Sequence, residues 1–599
     1  MKYQVLLVFL LTASITTSQQ VFDAASCQNF RDSVHKQAQK LMVDNHIVGA
    51  QVAVIQEHQI LFNQSFGYAD LPNKVPVDDQ IRFRIGSISK MFTAFAVMQL
   101  VEQGKVDLNM PIEQYLPTLN LKTQPGFRKI TTKDLLTHTS GLPDDITNNP
   151  TRVQKVAQGD LIPLVNQEIL TVPPGLKMTY SNIGFGLLGC LIEQISGFSY
   201  GEYIKAHIFS PLGMDNSTVS EALGTIPGRT KGYLMDSTEI EENAIRDIAA
   251  GGIESSMGDM IKFAQMLLDE AKGSGKMIVR KETFEEMTRN QLGNLKLPTD
   301  DVFGYGMFIH PMHTNQDSII GHGIGHAGDL RLHHSLLFIY PKLGVGIIIL
   351  SNAEKGGKMR SRLSQKIMAS YMSNFKGVVL KPAPTQAFST AACAADHIDH
   401  KEIEGTYGGG GEDFLQLKKI GRHKIRFKQG KNTLILKRNK QNLYTTKYKL
   451  LQIIPIPVKA AMFAFNKVDG RIYMKALDNR GKAAQLLSVK DAGIPVGKSW
   501  KNRAGAYDVT NDCPNSITMK PVSLKCIGNK IVLYRKDSIS DAEDSIGFNA
   551  LDDHTAISDG IERGSGAVLK VLPNGNLYYS GFELRQMGSK ATNDISLKK

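Results

Sequence analysis

The sequence predicts an α+β fold in which helices cover an antiparallel sheet, followed by two small all-β, barrel-like domains. Three observations support this prediction. Residues 50–70 contain two strand-like runs, residues 335–352 contain two more that precede a helical segment, and residues after 400 alternate between polar and apolar positions. A chain of 599 residues also exceeds what one hydrophobic core supports, which indicates several domains.

The early segment predicts a strand pair and then helices. AQVAVIQEHQILFNQSFGYAD is typical of two strands joined by a turn near Glu57 and His58. ISKMFTAFAVMQLVEQG predicts an amphipathic helix, which Gly104 ends because glycine favours the position after a helix. Residues 184–195 predict another helix.

The late segment predicts a buried hairpin. SLLFIYPKLGVGIIILSN contains two apolar runs around a Pro-Lys-Leu-Gly turn, and MRSRLSQKIMASYM then has helical periodicity. The last strands are therefore expected to pair and to carry a terminal helix, with a helical insert between the early and the late strands of the sheet.

Changes in composition predict the domain boundaries. A first domain spans residues 24–378, and a linker rich in Pro, Ala, Ser and Thr spans residues 379–399. Segments near Gly405 and Gly505 resemble each other at a spacing of about one hundred residues. This repeat predicts two tandem β-barrel-like domains, at residues 400–492 and 498–592.

The N-terminal sequence MKYQVLLVFLLTASITTSQQ is typical of a secretory signal peptide. A short basic start precedes about a dozen apolar residues and then small residues, which predicts a signal peptide of residues 1–18 cleaved near Ser18. An uncleaved anchor is the alternative. The rest of the chain contains no run of eighteen apolar residues, so we expect a secreted or periplasmic protein without stable membrane insertion.

The chain is basic, with a net charge of +13. The basic residues are densest between Arg422 and Gln441, where they alternate with apolar residues. This alternation is typical of the solvated face of a β-hairpin, whereas a nucleic-acid-binding arm would concentrate its charge. We therefore expect no nucleic-acid partner; the sequence does not indicate an oligomeric state.

Five cysteines are compatible with an oxidising compartment. Cys513 and Cys526 bracket a hairpin-like segment and are predicted to pair, and Cys27 and Cys393 could form a second disulfide. Cys190 lies in an apolar helical segment and is expected to remain a buried thiol. The sequence has no Cys-x-x-Cys pattern, and no metal or organic cofactor is expected.

FRIGSISKMFTAF contains a Ser and a Lys three residues apart at a predicted helix start. Residues at positions i and i+3 share a helix face, so Lys90 is expected to lie beside Ser87. A serine hydroxyl becomes a good nucleophile when a base takes its proton, and a lysine accepts it only as a neutral amine. The alternative is a serine N-cap followed by a surface lysine.

Two further segments carry candidate site residues. Tyr180 and Asn182 precede a predicted helix, where a phenol could relay protons and an amide could bind a substrate carbonyl. His326 and Gly328 precede the buried hairpin, where a glycine lets a ligand approach the strand edge. An N-cap turn and a solvated histidine are the alternatives for these two segments. His138, in LLTHTSGLP, is expected to make a structural hydrogen bond.

The order of these pieces, Ser-x-x-Lys, Tyr-x-Asn and His-x-Gly, resembles the serine β-lactamase-like hydrolases. That family includes class C β-lactamases, DD-peptidases, D-aminopeptidases, esterases and animal β-lactamase-like proteins. FRIGSISKMFTA, LLTHTSGLP, GLKMTYSNIGFGLLGCLIEQISG, PLGMDNST and GHAGDLRLHHSLLFIYP are similar to its landmarks, and the resemblance covers about residues 30–375. It implies a β-lactamase/transpeptidase-like fold for this part of the chain.

The resemblance also implies a role for each matching residue. Ser87 would be acylated, Lys90 would be its base partner, and Tyr180 would move protons in acylation and deacylation. Asn182 would position the substrate. The backbone N–H groups of Ser87 and Asp329 would form the oxyanion hole.

His326 occupies the position where many relatives have the lysine of a Lys-Thr-Gly triad. That lysine supplies a fixed positive charge for a substrate carboxylate, whereas histidine is mostly neutral near pH 7. The resemblance therefore implies a small-molecule or peptide substrate and favours the peptidase and esterase branches over β-lactam hydrolysis. The C-terminal β domains are similar to those of the D-aminopeptidase-like branch. A catalytically silent binding or scaffold protein that kept the fold is the alternative.

Overall fold

The computed structural model describes residues 23–146, 161–220, 227–240, 245–297, 301–313, 319–380, 395–407, 415–429, 432–445, 462–477, 483–490, 495–510, 519–537, 543–558 and 568–587. The predicted signal peptide and most of the predicted linker lie outside these residues. Among the described helices, none combines the length and the apolar character that a membrane crossing needs.

The first part of the chain contains fourteen described strands and eleven described α-helices. The strands are β1 (Gly49–Gln56), β2 (Gln59–Asp70), β3 (Val75–Pro76), β4 (Arg82–Arg84), β5 (Lys122–Thr123), β6 (Ile169–Leu170), β7 (Thr218–Val219), β8 (Gly232–Tyr233), β9 (Glu239–Ile240), β10 (Ile253–Ser256), β11 (Phe308–His313), β12 (Ile319–Asp329), β13 (His334–Tyr340) and β14 (Val345–Ser351). The α-helices are α1 (Ala24–Asp44), α2 (Ser89–Glu102), α3 (Thr132–Leu136), α4 (Leu161–Val165), α5 (Asn182–Ser196), α6 (Tyr200–Ile204), α7 (Ser210–Leu212), α8 (Ile248–Gly251), α9 (Met257–Lys272), α10 (Lys281–Met287) and α11 (Gly356–Lys376). Short 3₁₀ turns lie at Gly86–Ile88, Ile112–Gln114 and Pro341–Leu343, and a π-helical turn at Lys205–Phe209 joins α6 to α7.

An antiparallel sheet in the order β11-β12-β13-β14-β1-β2-β3 forms the centre of this part. It is buried on both faces, because alternate residues of one strand enter two different cores. In β14, Ile348 and Leu350 pack with α2, α5 and α9, whereas Ile347 and Ile349 pack with α1 and α11. Burial on both faces explains why β13 and β14 are continuous apolar runs in the sequence. The predicted α+β class and both predicted strand pairs are confirmed.

Helix α2 differs from its predicted amphipathic character. Eleven of its fourteen residues are buried, including the polar Ser89, Lys90 and Thr93. The helix is enclosed by the sheet on one side and by α5, α8 and α9 on the others. It ends as predicted, with Gly104 in the left-handed region at a φ of 69°.

The described elements of the C-terminal part are almost all β-strands. Its first unit comprises α12 (His400–Ile403) and an eight-stranded antiparallel sheet of β15 (Gly405–Tyr407), β16 (Leu415–Gly421), β17 (Lys424–Gln429), β18 (Asn432–Arg438), β19 (Tyr444–Thr445), β20 (Met462–Val468), β21 (Arg471–Leu477) and β22 (Ala483–Val489). Its second unit comprises α13 (Lys498–Asn502) and a closed barrel of β23 (Gly505–Val509), β24 (Met519–Ile527), β25 (Lys530–Asp537), β26 (Glu543–Ala550), β27 (Thr555–Ile557), β28 (Val568–Val571), β29 (Leu577–Tyr579) and β30 (Phe582–Gln586). In the first unit, an isolated bridge between Tyr407 and Lys490 joins the first strand to the residue after the last one.

The two units share a local structure at the predicted repeat. Each begins with a one-turn helix followed by Gly-x-Tyr, and the glycines Gly405 and Gly505 have φ angles of 149° and 150°. The hydroxyl of Tyr407 donates to a carbonyl four residues earlier at 2.8 Å, and that of Tyr507 does the same at 2.6 Å. The basic residues of β17 and β18 are mostly exposed, while all their apolar neighbours except Ile435 are buried, largely as the sequence indicated.

The disulfide predictions are not supported. Cys27 and Cys526 carry free thiols, and Cys190 is buried in α5 without a disulfide. The Cys526 sulfur instead lies 3.6 Å from the Trp500 carbonyl oxygen. The predicted partners Cys393 and Cys513 lie outside the described residues. Sequence spacing suggested the pairs, but spacing does not determine whether two sulfur atoms meet.

Both C-terminal units contact the first part near β5 and β6. Tyr473 of the first unit joins a small apolar cluster with Val172, Leu176 and Leu297. Tyr578 of the barrel donates a hydrogen bond of 2.8 Å to the carboxylate of Glu168, just before β6. Glu168 is 1% exposed, and burial raises its pKa to about 7 despite the opposing hydrogen bond from Tyr578 and the charge of Lys570.

The Glu168 contact predicts a pH dependence of stability. Because its folded-state pKa lies above the unfolded value, the folded protein binds an extra proton between about pH 4.5 and pH 7. The free energy of unfolding is then greatest near pH 4.5 and below. It falls by on the order of 3 kcal/mol as the pH rises through 7. Glu168→Gln should flatten this loss in denaturant unfolding at pH 5, 6, 7 and 8. The exposed matched control Glu282→Gln should keep it, and an equal slope in both variants would contradict the account.

Candidate active site

Ser87 lies in the 3₁₀ turn that leads into α2. Strand β4 ends at Arg84, and Gly86 then adopts a φ of 51°, which redirects the chain into the turn. The N-cap residue of α2 is Ile88, which has no side chain that could cap the helix. Ser87 is therefore not the N-cap that the alternative interpretation required, and its half-buried side chain is available for other contacts.

Lys90 is fully buried, at 0% exposure. Its Nζ lies 3.0 Å from Ser87 Oγ, 2.8 Å from Asn182 Oδ1 and 2.8 Å from the Ala250 carbonyl oxygen. These three atoms come from the turn before α2, from α5 and from α8. The alternative of a surface lysine is thus wrong, because the amine is enclosed at the meeting point of three elements.

Tyr180 and Asn182 lie at the start of α5, which Ser181 caps by accepting a hydrogen bond from Gly184 N–H. The Tyr180 hydroxyl lies 2.9 Å from Ser87 Oγ. The Tyr180 ring centroid is 4.8 Å from Lys90 Nζ, so the amine lies close to the π-face. The structure therefore joins four of the sequence-predicted residues in one hydrogen-bonded group, in which Lys90 and Tyr180 contact Ser87 Oγ and Asn182 contacts Lys90.

His138 supports this loop. It has a positive φ of 58°, uncommon for a residue with a side chain. Its Nδ1 accepts a hydrogen bond of 3.0 Å from Ser181 N–H, and its carbonyl accepts one of 2.7 Å from Thr179 N–H. Its ring centroid lies 4.2 Å from that of Tyr180. His138 makes the structural hydrogen bond expected from the sequence, and it also packs against the Tyr180 ring.

His326 lies on β12 with 3% exposure, beside the rings of Tyr180 and Phe308. Its Nδ1 is 2.5 Å from the Ala327 carbonyl oxygen. Burial, reinforced by the charge of Lys90, lowers the pKa of His326 to about 3. The imidazole is therefore neutral over the physiological range, and the solvated histidine of the alternative interpretation is wrong. Among the described residues, Ser87 Oγ contacts Lys90 and Tyr180 but not His326, so His326 forms a wall of the site and is not part of the Ser87 hydrogen-bond group.

Gly328 lets β12 approach the Ser87 turn. A β-carbon at this position would lie 2.0 Å from the Ile85 carbonyl oxygen, far inside van der Waals contact. A β-carbon at Gly86 would lie 3.2 Å from the Asp329 backbone nitrogen. The Ser335 hydroxyl donates to the same Ile85 carbonyl at 2.7 Å. The segment from Ile85 to Ser87 thus lies directly against the end of β12.

Arg360 and His334 hold the end of β12, and the sequence analysis missed both. Arg360 Nη1 donates to the Gly328 carbonyl at 2.5 Å, and Nη2 to the Asp329 carboxylate at 2.7 Å. His334 Nδ1 lies 2.7 Å from the other Asp329 carboxylate oxygen. Although burial alone would raise the pKa of Asp329, these hydrogen bonds lower it below its ordinary value. His334 lies in the quoted stretch GHAGDLRLHHSLLFIYP, whereas no local pattern marks Arg360 on α11.

Within the described residues, no cluster of three or more His, Cys, Asp and Glu side chains has the arrangement of a metal site. The site instead contains the Ser87 hydroxyl together with an amine, a phenol and an amide. This set can transfer protons to and from a serine oxygen.

The close approach at Gly328 predicts a sharp difference between two glycines of β12. Gly328→Ala should lower the free energy of unfolding by about 1–3 kcal/mol, because the methyl group meets the Ile85 carbonyl and the backbones must separate. Gly321→Ala is the matched control, since its β-carbon would lie 3.5 Å from the Lys342 side chain, an ordinary contact. Its effect should stay within about 0.5 kcal/mol. Denaturant unfolding measures both, and equal losses would contradict this reading of the strand end.

Comparisons with known proteins agree with this fold. The Beta-lactamase family model matches residues 34–370. The chain is 30% identical over 311 residues to the putative penicillin-binding protein PbpX of Bacillus subtilis (strain 168), covering 51% of this chain and 71% of that protein. It is 26% identical over 312 residues to protein flp of Staphylococcus aureus (strain MW2), again over 51% of this chain, and spans 60% of that relative's length.

A solved structure shares the fold over a larger part of the chain. The crystal structure of SurE with D-Leu has a TM-score of 0.53 and 22% sequence identity, covering 77% of this chain and all of that one. Likeness at this level of identity concerns the fold alone. The family model, by contrast, covers more than half of the present sequence, and the chain therefore belongs to the Beta-lactamase family.

Proposed function

We propose that this protein is a serine hydrolase that cleaves an amide or ester through an acyl-enzyme on Ser87. One observation carries the proposal: Lys90 Nζ and the Tyr180 hydroxyl both lie within hydrogen-bonding distance of Ser87 Oγ, at 3.0 Å and 2.9 Å. A serine oxygen with two proton-transfer groups beside it has what acyl transfer needs.

The partners of Lys90 suit a general base. A neutral amine has two N–H groups and one lone pair. Asn182 Oδ1 and the Ala250 carbonyl oxygen can only accept hydrogen bonds, so they match the two N–H groups. The lone pair can then accept the proton of the Ser87 hydroxyl, whose oxygen lies 3.0 Å away.

The proposed reaction follows from these contacts. Ser87 Oγ forms a bond to the substrate carbonyl carbon while its proton passes to Lys90. The leaving amine or alcohol departs with a proton from Tyr180, which Lys90 then replaces. Water cleaves the acyl-enzyme by the reverse sequence, so that Ser87 regains its proton and the acid product leaves.

The oxyanion is proposed to bind between the N–H groups of Ser87 and Asp329. The 3.2 Å approach of a Gly86 β-carbon to Asp329 N supports the closeness of these two backbone segments. Arg360 and His334 would keep Asp329 in place while charge develops on the substrate oxygen. With Asn182 Oδ1 bound to Lys90, the Asn182 NH₂ group is the part that could donate to a substrate carbonyl.

The neutral wall at His326 bears on substrate choice. A lysine at this position would present a fixed positive charge to a substrate carboxylate such as the one that β-lactams carry. His326 has a pKa near 3 and supplies no such charge. We therefore propose a peptidase or esterase preference over β-lactam hydrolysis. A panel of p-nitrophenyl esters, D-leucine p-nitroanilide and nitrocefin tests this preference, and fast nitrocefin turnover would contradict it.

The account predicts labelling of the parent protein by a fluorophosphonate probe. Ser87→Ala should abolish labelling, and Lys90→Met should slow it by about 10²–10⁴-fold because the base is lost. Lys105→Met, at an exposed position after α2, is the matched control and should label at the parent rate.

The same set of variants separates an enzyme from a silent binding protein. A parent protein that neither labels nor gives a burst with an activated ester would contradict the hydrolase proposal. It would favour a binding or scaffold protein that kept the family's fold.

The pKa of His326 predicts the pH profile of hydrolysis. Because His326 is neutral from well below pH 5 upwards, it should contribute no inflection of kcat/KM near pH 6.5. The parent and His326→Asn should therefore share the position of their acid limb in a profile from pH 4.5 to 9. If an inflection near pH 6.5 in the parent disappears in the variant, His326 titrates in the working range and this prediction is wrong.

We also propose that the N-terminal segment directs export of the protein. We further propose that residues 379–399 link the first domain to the C-terminal domains. Residues 1–18 would be removed on secretion, which N-terminal sequencing of the protein from its source tests. Limited proteolysis tests the division: the first cuts should fall within 379–399, and early cuts inside β1–β14 would contradict it.

A further inference from the structure

The middle of strand β12 carries only small residues on one of its faces. Gly321, Gly323, Gly325 and Ala327 occupy alternate positions, so they share the face opposite to His326. This is the face that α11 covers, since Ala327 and Arg360 line the same cavity. The Tyr340 ring occupies the space next to Gly323, and the Leu337 backbone lies against Gly325. The groove between the neighbouring strands therefore remains open at Ala327, which lines the cavity.

Aromatic side chains of the two flanking strands form the walls of this groove. Phe308 of β11 and Phe338 of β13 are both paired with Gly325, and His310 is paired with Gly323. The His310 ring stacks with both phenylalanines, at centroid distances of 5.8 Å and 5.1 Å. Aromatic rings can fill the space above a strand glycine. Here a cavity of about 330 Å³ remains among them, within the range of small-molecule sites.

Arg360 lines the cavity, and one of its three side-chain nitrogens lacks a partner among the described residues. Its Nη1 donates to the Gly328 and Ser335 carbonyls, its Nη2 donates to the Asp329 carboxylate, and the residue is 8% exposed. Its Nε is buried and has no hydrogen-bond partner among the residues that the structure describes. A buried charged donor without an acceptor destabilises the folded protein. A ligand that accepts a hydrogen bond from this N–H group would remove that cost.

The charge around the cavity favours an anionic acceptor. Helix α11, GGKMRSRLSQKIMASYMSNFK, contains five Lys and Arg residues and no Asp or Glu. Two of its serines, Ser361 and Ser364, also line the cavity, with hydroxyls that donate to the Gly357 and Ser361 carbonyls. A carboxylate would thus meet a positive field as well as the Nε donor.

We propose that this cavity binds a small aromatic carboxylate. The ring would lie against Ala327 of β12 between the aromatic walls, and the carboxylate would accept a hydrogen bond from Arg360 Nε. Because the same guanidinium holds Gly328 and Asp329, the ligand is coupled to the strand end beside Ser87. The site lies on the opposite face of β12 from His326, and its binding test does not depend on the chemistry at Ser87.

Isothermal titration calorimetry of the full-length protein with 3-phenylpropionate tests the site. The account expects saturable one-to-one binding and at least tenfold weaker binding of 3-phenylpropan-1-ol, which lacks the carboxylate. Ser364→Phe should fill the cavity and weaken binding at least tenfold. Ser373→Phe, at an exposed position outside the cavity lining of the same helix, should bind like the parent.

Two outcomes would overturn the proposal. One is no saturable binding at millimolar ligand, and the other is equal binding by the parent and the filled-cavity variant. If Ser364→Phe does not fold, Ala327→Val fills the same space from the strand side and takes its place. Hydrogen exchange tests the coupling: 3-phenylpropionate should slow exchange in residues 324–330 of the parent, and unchanged exchange at saturation would refute the link through Arg360.

Discussion

The enclosed amine of Lys90 is the contact on which the site depends. Its three oxygen partners belong to the Ser87 turn, to α5 and to the Ala250 carbonyl of α8. An amine with 0% exposure has no water to replace a missing acceptor, so all three elements must be in place for the helix to remain packed. The next turn of α2 adds a second link to α8, since the Thr93 hydroxyl donates to the Ala249 carbonyl at 2.6 Å.

The other side of the site is a backbone contact. Gly328 brings β12 against Ile85, and Arg360 ties that strand end to α11 on the far side of the sheet. The helical core thus fixes the side chains around Ser87, whereas the sheet and α11 fix the neighbouring backbone. Such a division favours preorganisation, because neither set of groups needs to move when charge develops.

Much of the fold could be predicted from the sequence. The strand pairs at residues 50–70 and 335–352 and helices α5 and α11 have clear periodicity or turns, and the structure has them where expected. The site segments could be found because each has a local pattern. Helix α2 was wrongly predicted to be amphipathic. It is buried on every side, so its sequence has no polar face that would mark a solvent-exposed side. Arg360 and the free thiol of Cys526 depend on tertiary contacts that no local spacing encodes.

The central claim is that Ser87 carries the acyl group, and mass spectrometry of the intermediate tests it most directly. The protein is mixed with excess p-nitrophenyl acetate, quenched in acid within the first turnover and digested with pepsin. The account predicts an added acetyl mass on the peptide that contains Ser87, present in the parent and absent from Ser87→Ala. An acetyl group on any other residue at comparable occupancy, or none during active turnover, would contradict it.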